Sequence, residues 1–146
     1  MKVKNNVEQA ICLLIIIAHC KDEKPLKSYN ISDRLGVSDS YLKKIIRQLV
    51  VTGLITSEAG KKGGVCLSRK PDKITLLDIF EAIEGKEPFA KATGLVERVF
   101  VNELKEIMDQ KQAMILDAFN AAEASYKEKL KTITLKMAMV ERKKDS

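Results

Sequence analysis

The 146-residue sequence contains no tryptophan and a single histidine, His19, and aromatic residues make up only 5% of it. No serine or cysteine motif accompanies His19, so the residues of a catalytic triad are missing. Long hydrophobic runs are missing as well, because Val7–Ala18 is too short to cross a bilayer and carries Glu8. We see no signal peptide. These absences predict a cytoplasmic protein that is neither an enzyme nor a membrane protein.

Cysteine is also scarce, and the spacings of Cys12, Cys20 and Cys66 do not resemble a metal-ligand set. The first two lie in an apolar helical run, which predicts reduced thiols in the core. Cys66 lies beside a cationic stretch, a setting typical of redox-active thiols. A redox switch at Cys66 is therefore an alternative to a plain packing role. We predict no metal and no cofactor.

The sequence is 45% hydrophobic, enough for the core of one compact domain with a helical extension, and it carries a formal net charge of +6. Residues 73–146 are balanced in charge, so the whole excess lies in the first half. Within that half, Ser38–Lys70 holds seven basic residues against Asp39 and Glu58. Such a local cationic patch indicates a polyanion-binding surface. A merely solvated basic face is the alternative.

Two helices with a short turn between them are predicted in this basic region. The first spans Ser28 to about Leu35, Gly36–Ser38 forms the turn and the N-cap, and the second spans Asp39–Thr52. Helical spacing places one apolar set on the buried face of the second helix: Leu42, Ile45, Ile46 and Leu49. The opposite face holds Ser40, Lys43, Lys44, Arg47 and Val51. The pattern is that of a helix-turn-helix with a cationic recognition helix.

A small hairpin is predicted next, after Gly53 ends the helix. Leu54–Ala59 and Val65–Leu67 are short strand candidates on either side of the turn Gly60–Gly64. This turn has the sequence GKKGG, which fits neither common glycine-rich phosphate-binding motif, so we set a nucleotide site aside. Helix, hairpin and cationic turn together outline a winged helix-turn-helix that binds DNA.

Further helices flank this unit. Asn5 or Asn6 can cap a first helix that runs to about Cys20, with a buried stripe of Val7, Ala10, Ile11, Leu14, Ile15 and Ala18 that Ile16 and Ile17 widen. Thr75 and Asp78 form a capping-box-like start for a helix over Leu76–Glu84.

The second half is predicted to be helical from about Leu95 to Lys131, after a linker over Pro88–Gly94. Thr132 or Thr134 can cap a last short helix. The periodic apolar stripe of the long segment includes Val96, Val99, Phe100, Leu104, Ile107, Met108, Ile115, Ala118, Phe119, Ala122, Tyr126 and Leu130. A small winged-helix domain cannot bury such a stripe, so we expect a homodimer, with a DNA-binding domain over 1–85 and a helical dimerisation region over 86–146.

At the hairpin the sequence resembles a known family. The residues that carry the likeness are Ser40-Tyr41-Leu42, Leu49, Gly53-Leu54-Ile55, Ser57, Gly60, Gly63-Gly64, Leu67, Ile74-Thr75-Leu76, Ile79 and Ala82-Ile83-Glu84-Gly85, with a weaker match at Ile133-Thr134-Leu135. This ordered set is similar to the Rrf-two (BadM) family of bacterial winged helix-turn-helix transcription regulators. The resemblance implies a long C-terminal dimerisation helix and a pseudo-palindromic double-stranded DNA operator, with recognition helices in the major groove and wings on adjacent minor groove or backbone.

From the residues and the resemblance together we assign DNA contact to one set: Ser28, Ser38, Asp39, Ser40, Tyr41, Lys43, Lys44, Arg47, Ser57, Lys61, Lys62 and Gly63. The wing departs from the family pattern, in which an arginine commonly precedes the wing glycine and an aromatic residue follows the double glycine. Here Ala59 and Val65 stand at those positions. We therefore expect the wing lysines to supply charge without an arginine's reading of minor-groove shape.

The sensor region departs further. Cluster-binding members of the family place three closely spaced cysteines before the dimerisation helix, whereas residues 86–112 contain neither cysteine nor histidine. Since thiolates are the usual ligands of iron–sulfur clusters, we expect a member of the cluster-free (CymR-type) branch.

The sequence thus predicts a mostly α protein with a small two-stranded wing (α+β), in which a winged helix-turn-helix precedes a long dimerisation helix. The leading functional hypothesis is a homodimeric, sequence-specific transcription regulator that acts as a repressor. Two alternatives stay open. The long helices can instead bind a protein partner such as an enzyme, or the chain can respond directly to a small effector or to oxidation at Cys66.

Overall fold

A computed structural model describes residues 5–20 and 25–140, which are mostly helical with one two-stranded antiparallel sheet. The elements are α1 Asn5–Ala18, α2 Ser28–Leu35, α3 Asp39–Val51, β1 Ile55–Glu58, β2 Gly64–Leu67, α4 Leu76–Glu84, α5 Leu95–Val99, α6 Lys105–Lys131 and α7 Leu135–Ala138. A 3-10 turn over Pro71–Lys73 precedes α4. The predicted fold class is confirmed.

The described residues form two compact units. The first contains residues up to Gly85 together with those from Leu130 onward, and the second spans Lys86–Lys129. The sequence-based boundary at residue 85 coincides with the edge of the first unit. The closing segment differs from the expectation for 86–146, because α7 packs on α1 and on the 3-10 turn in the first unit.

Helix α1 is the central element of the first unit and contacts α2, α4, α7 and β2. Its buried side chains are Val7, Ala10, Leu13, Leu14 and Ile17. The predicted stripe was partly wrong, because Ile11 and Ile15 are only half-buried while Leu13 is fully enclosed. The prediction for Cys12 was also wrong, because this residue lies on the outer side of α1 and is exposed rather than in the core.

The helix-turn-helix has the predicted boundaries to within one residue. Gly36 ends α2 with φ +66°, a left-handed conformation that suits glycine, and its N–H bonds to the Asp33 carbonyl. Ser38 then caps α3, its hydroxyl accepting the Tyr41 N–H at 3.2 Å. The predicted apolar face of α3 is buried along its length, where it packs on α2, α4 and β1.

The wing is held to the start of α2 by a third backbone segment. In the register of β1 and β2, Ser57 pairs with Val65 and Glu58 with Gly64. On the other side of β2, Val65 exchanges two backbone hydrogen bonds with Leu26, at 2.9 and 3.2 Å. Composition does not predict this pairing, because Lys21–Lys27 has the composition of a polar connection.

The same tripeptide, Ile-Thr-Leu, occurs twice and pairs with itself across the first unit. Thr75 and Thr134 form an antiparallel bridge. The Leu76 N–H donates to the Ile133 carbonyl, and the Leu135 N–H donates to the Ile74 carbonyl. Each threonine caps the helix that follows it, and at α4 the predicted capping box with Asp78 is complete. The pairing attaches the segment that begins α7 to the start of α4.

In the second unit the predicted helical segment is interrupted. Helix α5 ends at Val99, and α6 begins only at Lys105. The preceding linker is ordered against α6: the Phe89 N–H donates to Glu123 Oε1 at 2.8 Å, and the Phe89 ring lies edge-on to Tyr126 at a centroid distance of 5.6 Å. None of the described side chains of α6 is buried.

We predict that Gly64 is required for the pairing between the wing and Leu26. Its φ is +152°, and a Cβ at this position would lie 2.5 Å from the Leu26 carbonyl oxygen. Gly64→Ala is therefore expected to lower the free energy of unfolding by roughly 2–5 kcal/mol, through backbone strain and steric overlap together. Urea denaturation followed by circular dichroism at 222 nm measures the change.

Gly60→Ala is the matched control. Gly60 also has a positive φ, +96°, but no heavy atom lies within 4 Å of a Cβ built there. Backbone strain alone should cost about 1–2 kcal/mol. Equal losses for the two variants would contradict a specific role for the Leu26 contact.

Candidate nucleic-acid interface

The outer face of α3 presents the predicted cations. Lys43, Lys44 and Arg47 are exposed, while the residues between them in the helix turn face the core. Val51, on the same outer face, has 78% of its surface exposed. Exposed cations on a rigid helix are able to bind phosphate oxygens, and arginine or lysine can also hydrogen-bond to guanine edges.

Asp39 moderates the charge at the start of this helix. Its carboxylate lies 2.9 Å from Lys43 Nζ. The hydrogen bond from Lys43 holds the pKa of Asp39 below its ordinary value, and a hydrogen bond from Ser28 acts in the same direction. Because the folded-state pKa is depressed, the stabilisation is present above the unfolded-state pKa and is lost as pH falls through the folded-state pKa. Lys43 is thus a partly compensated cation.

Tyr41 has a structural role that the sequence did not reveal. The side chain is half-buried, and its hydroxyl donates a hydrogen bond to Asn6 Oδ1 of α1. Asn6 lies inside α1, so the expectation that it caps this helix was wrong. The hydrogen bond attaches the first turn of α3 to α1, which occupies the polar group that we had assigned to DNA.

The wing places its residues in two different environments. Lys61 and Lys62 are exposed in the turn, and Ser57 is exposed on β1. Gly63 is buried instead: a Cβ there would lie 2.2 Å from the Glu58 carbonyl oxygen, and its N–H donates to Gly60 at 3.1 Å. Gly63 therefore closes the turn, and its direct contact with DNA stays a prediction.

Lys27 contacts the wing, although the sequence did not predict this contact. It precedes α2 in an extended conformation, and its Nζ donates a hydrogen bond to the Gly60 carbonyl in the wing turn. Ser28, the next residue, is half-buried and begins α2. The only signal in the sequence was a lysine next to an isolated apolar residue, Leu26. The Lys27 contact fixes the wing turn to the segment before α2.

The remaining residues of the predicted set lie at the N-terminus of α3. Ser38 and Ser40 are exposed, with their hydroxyl oxygens 3.3 Å apart. Unpaired N–H groups at a helix N-terminus favour anions. One compact unit therefore presents several kinds of group that can bind phosphate. They are the exposed hydroxyls, the cations of α3 and the lysines of the wing turn.

Two of the three thiols share a cleft on the same unit. Cys20 and Cys66 are half-buried and line a cavity of about 570 Å³ at the end of α1 and along β2. Within residues 5–20 and 25–140, no group of three or more histidine, cysteine or acidic side chains is arranged to hold a metal ion. None of the described helices is long and apolar enough to cross a membrane.

Comparison with known proteins agrees with this geometry. Residues 3–141 match the model of the Rrf2 family, described as an iron-dependent transcriptional regulator. The chain is 38% identical over 120 residues to Bacillus subtilis YwgB, named as an HTH-type transcriptional regulator, with 82% of this chain and 77% of that protein covered.

Solved structures share the fold. CymR, the global cysteine regulator of Bacillus subtilis, superposes with a TM-score of 0.64 at 23% identity, covering 94% of this chain and 95% of that one. The oxidised form of Staphylococcus aureus CymR gives 0.65 at 24% identity, covering 99% and 100%. With an exposed cationic helix, a two-stranded wing and a family match over nearly all its length, the chain belongs to the Rrf2 family of winged-helix, DNA-binding transcription regulators.

Proposed function

We propose that this protein is a homodimeric, sequence-specific repressor that works without an iron–sulfur cluster. The observation that carries the DNA-binding part is the two-faced α3, whose apolar side is enclosed while Lys44 and Arg47 are exposed. The core fixes the helix, so its cations are held in place before DNA arrives. The wing turn, with Lys61 and Lys62 exposed, adds a second cationic element to the same unit.

Dimerisation is supported by the apolar face of α6. Four apolar side chains of this helix are each about half exposed or more: Ile107, Met114, Ile115 and Phe119. The last three follow Ile107 by seven, eight and twelve residues, which places all four on one side of the helix. None of the described side chains of this 27-residue helix is buried, so its own unit leaves this apolar face largely exposed. A second copy of the same helix offers a matching apolar surface, which is the usual arrangement in symmetric dimers.

The cluster-free assignment rests on the available ligands. Cys12 is exposed on α1, whereas Cys20 and Cys66 line a different site, the cleft beside β2. Two thiols in one place do not complete the set of four ligands that an iron–sulfur cluster ordinarily takes. The described residues therefore do not fit the cluster that the family description implies, and we derive no function from one.

We predict that α3 and the wing turn supply phosphate contacts. From the family resemblance we propose that the operator lies upstream of the protein's own coding region. Lys44→Gln, Arg47→Gln and Lys61→Gln should each weaken binding to a duplex taken from that region. Each lost contact should also reduce the slope of log K against log salt concentration by about 1. Fluorescence anisotropy at several salt concentrations measures both quantities.

Lys136→Gln is the control, since it removes the same charge from an exposed site on α7. Unchanged affinity in the combined Lys44, Arg47 and Lys61 variant would contradict the proposed interface. For repression, a reporter fused to the same upstream region should increase in expression when the regulator is deleted, and reduced expression would contradict the repressor assignment.

We predict that α6 forms the dimer interface. Ile115→Glu places a charge in the centre of the apolar face and should convert the dimer to a monomer, as measured by size-exclusion chromatography with light scattering. Ala124→Glu is the matched control, because Ala124 is exposed and lies roughly 180° around the helix from Ile115. A dimer that persists in the Ile115 variant, or dissociates equally in both, would contradict this interface.

A further inference from the structure

The cleft that contains Cys20 and Cys66 combines features that the DNA-binding role does not use. Cys20 follows the end of α1, and Cys66 lies in β2, so two distant parts of the sequence bring their thiols to one cavity of about 570 Å³. This volume is within the range of small-molecule sites, roughly 300–1,000 Å³. Cys12, the third thiol, is exposed and is not part of the lining.

The walls of the cleft define the class of molecule that it suits. Ile17, Ala18, Val65 and Leu67 supply apolar surface, and Arg69 and Lys70 supply positive charge. Arg69 is shared with other groups: its Nη1 lies 3.6 Å from Asp78 Oδ2 and donates to the Lys73 carbonyl at 3.2 Å. Lys70 is exposed. A small organic anion that reacts with thiols matches this combination.

We propose that the cleft is a site of thiol–disulfide exchange, at which a small carboxylate-bearing organic disulfide oxidises Cys20 and Cys66 to an internal disulfide. The thiolate of Cys66 attacks one sulfur of the small disulfide and forms a mixed disulfide with it. The S–S bond of the small disulfide breaks, and its other half leaves as a thiolate that takes up the proton lost by Cys66. Cys20 then attacks Cys66 Sγ and releases the second small thiol in the same way. Two protein thiols are oxidised, and one disulfide is reduced to two thiols.

The site is positioned to influence the wing. Cys66 pairs with Thr56 in the sheet, and its neighbour Val65 carries the two hydrogen bonds to Leu26. A covalent bond from Cys66 to Cys20 would connect β2 to the end of α1 and displace the backbone that sets the wing turn. This effect on DNA rests on the proposed function, whereas the exchange chemistry does not.

The test of the exchange uses Cys12→Ser protein, in which only the two cleft thiols remain. Treatment with 3,3′-dithiodipropionate should remove both free thiols and lower the intact mass by two hydrogen atoms, without a lasting adduct. Adding Cys20→Ser should trap a stable mixed disulfide on Cys66, visible as one adduct by mass spectrometry. If adducts accumulate on both cysteines of the Cys12→Ser protein, as on two independent thiols, the proposal is overturned.

The charge of the cleft is tested with a matched uncharged reagent, bis(2-hydroxyethyl) disulfide. The rate constants of both reagents are divided by their values in urea-unfolded protein, which removes their intrinsic difference in reactivity. The folded Cys12→Ser protein should favour the dicarboxylate by about threefold, and Lys70→Gln should reduce this preference. No preference in the folded protein would overturn the assignment of an anionic substrate.

Anisotropy with the upstream duplex separates this inference from the proposed function. Oxidised Cys12→Ser protein should bind the duplex differently from the reduced protein, and dithiothreitol should restore the original affinity. Absence of DNA binding in both forms would contradict the proposed function while leaving the exchange chemistry supported by the mass spectra. Equal affinity of the two forms would overturn the link between the cleft and the wing.

Discussion

The backbone pairing between Leu26 and Val65 is the contact on which the DNA-binding unit depends. Two hydrogen bonds hold β2 against the segment that begins α2, and Gly64 is the residue that permits so close an approach. Lys27, one position further on, holds the wing turn at Gly60. A two-stranded hairpin alone is only marginally stable in water, so this third segment gives the wing a fixed position relative to the helices.

The same segment also positions the recognition helix. It leads into α2, which packs against α3, while Tyr41 attaches the first turn of α3 to Asn6 of α1. Both ends of the candidate interface, helix and wing, are thus fixed by neighbouring residues. A fixed position matters for DNA recognition because phosphate contacts set the register of a protein on the duplex. A mobile wing would have to be ordered on binding, and the entropy lost in ordering it would weaken the affinity for DNA.

Local patterns in the sequence were sufficient for much of this fold. The apolar spacing in α3, the Gly36 turn and the Thr75–Asp78 capping box depend on residues at most a few positions apart, so they can be read directly. The errors arose where contacts join distant residues. Leu26 pairs with Val65, and Tyr41 bonds to Asn6, across separations that no periodicity encodes. The burial of Gly63 could not be predicted either, because burial of a turn depends on the path of the backbone around it.

The two thiols of the cleft illustrate the same distinction and have a functional consequence. In the sequence, Cys20 grouped with Cys12, and Cys66 stood alone beside the wing lysines. The fold separates the first pair and brings Cys20 and Cys66 to one cavity, next to the strand that carries the Leu26 contact. Because the wing is held by that contact, a covalent change at Cys66 lies one residue from the bonds that position the wing. Oxidation of Cys66 is therefore coupled to the geometry of the wing through the adjacent residue, Val65.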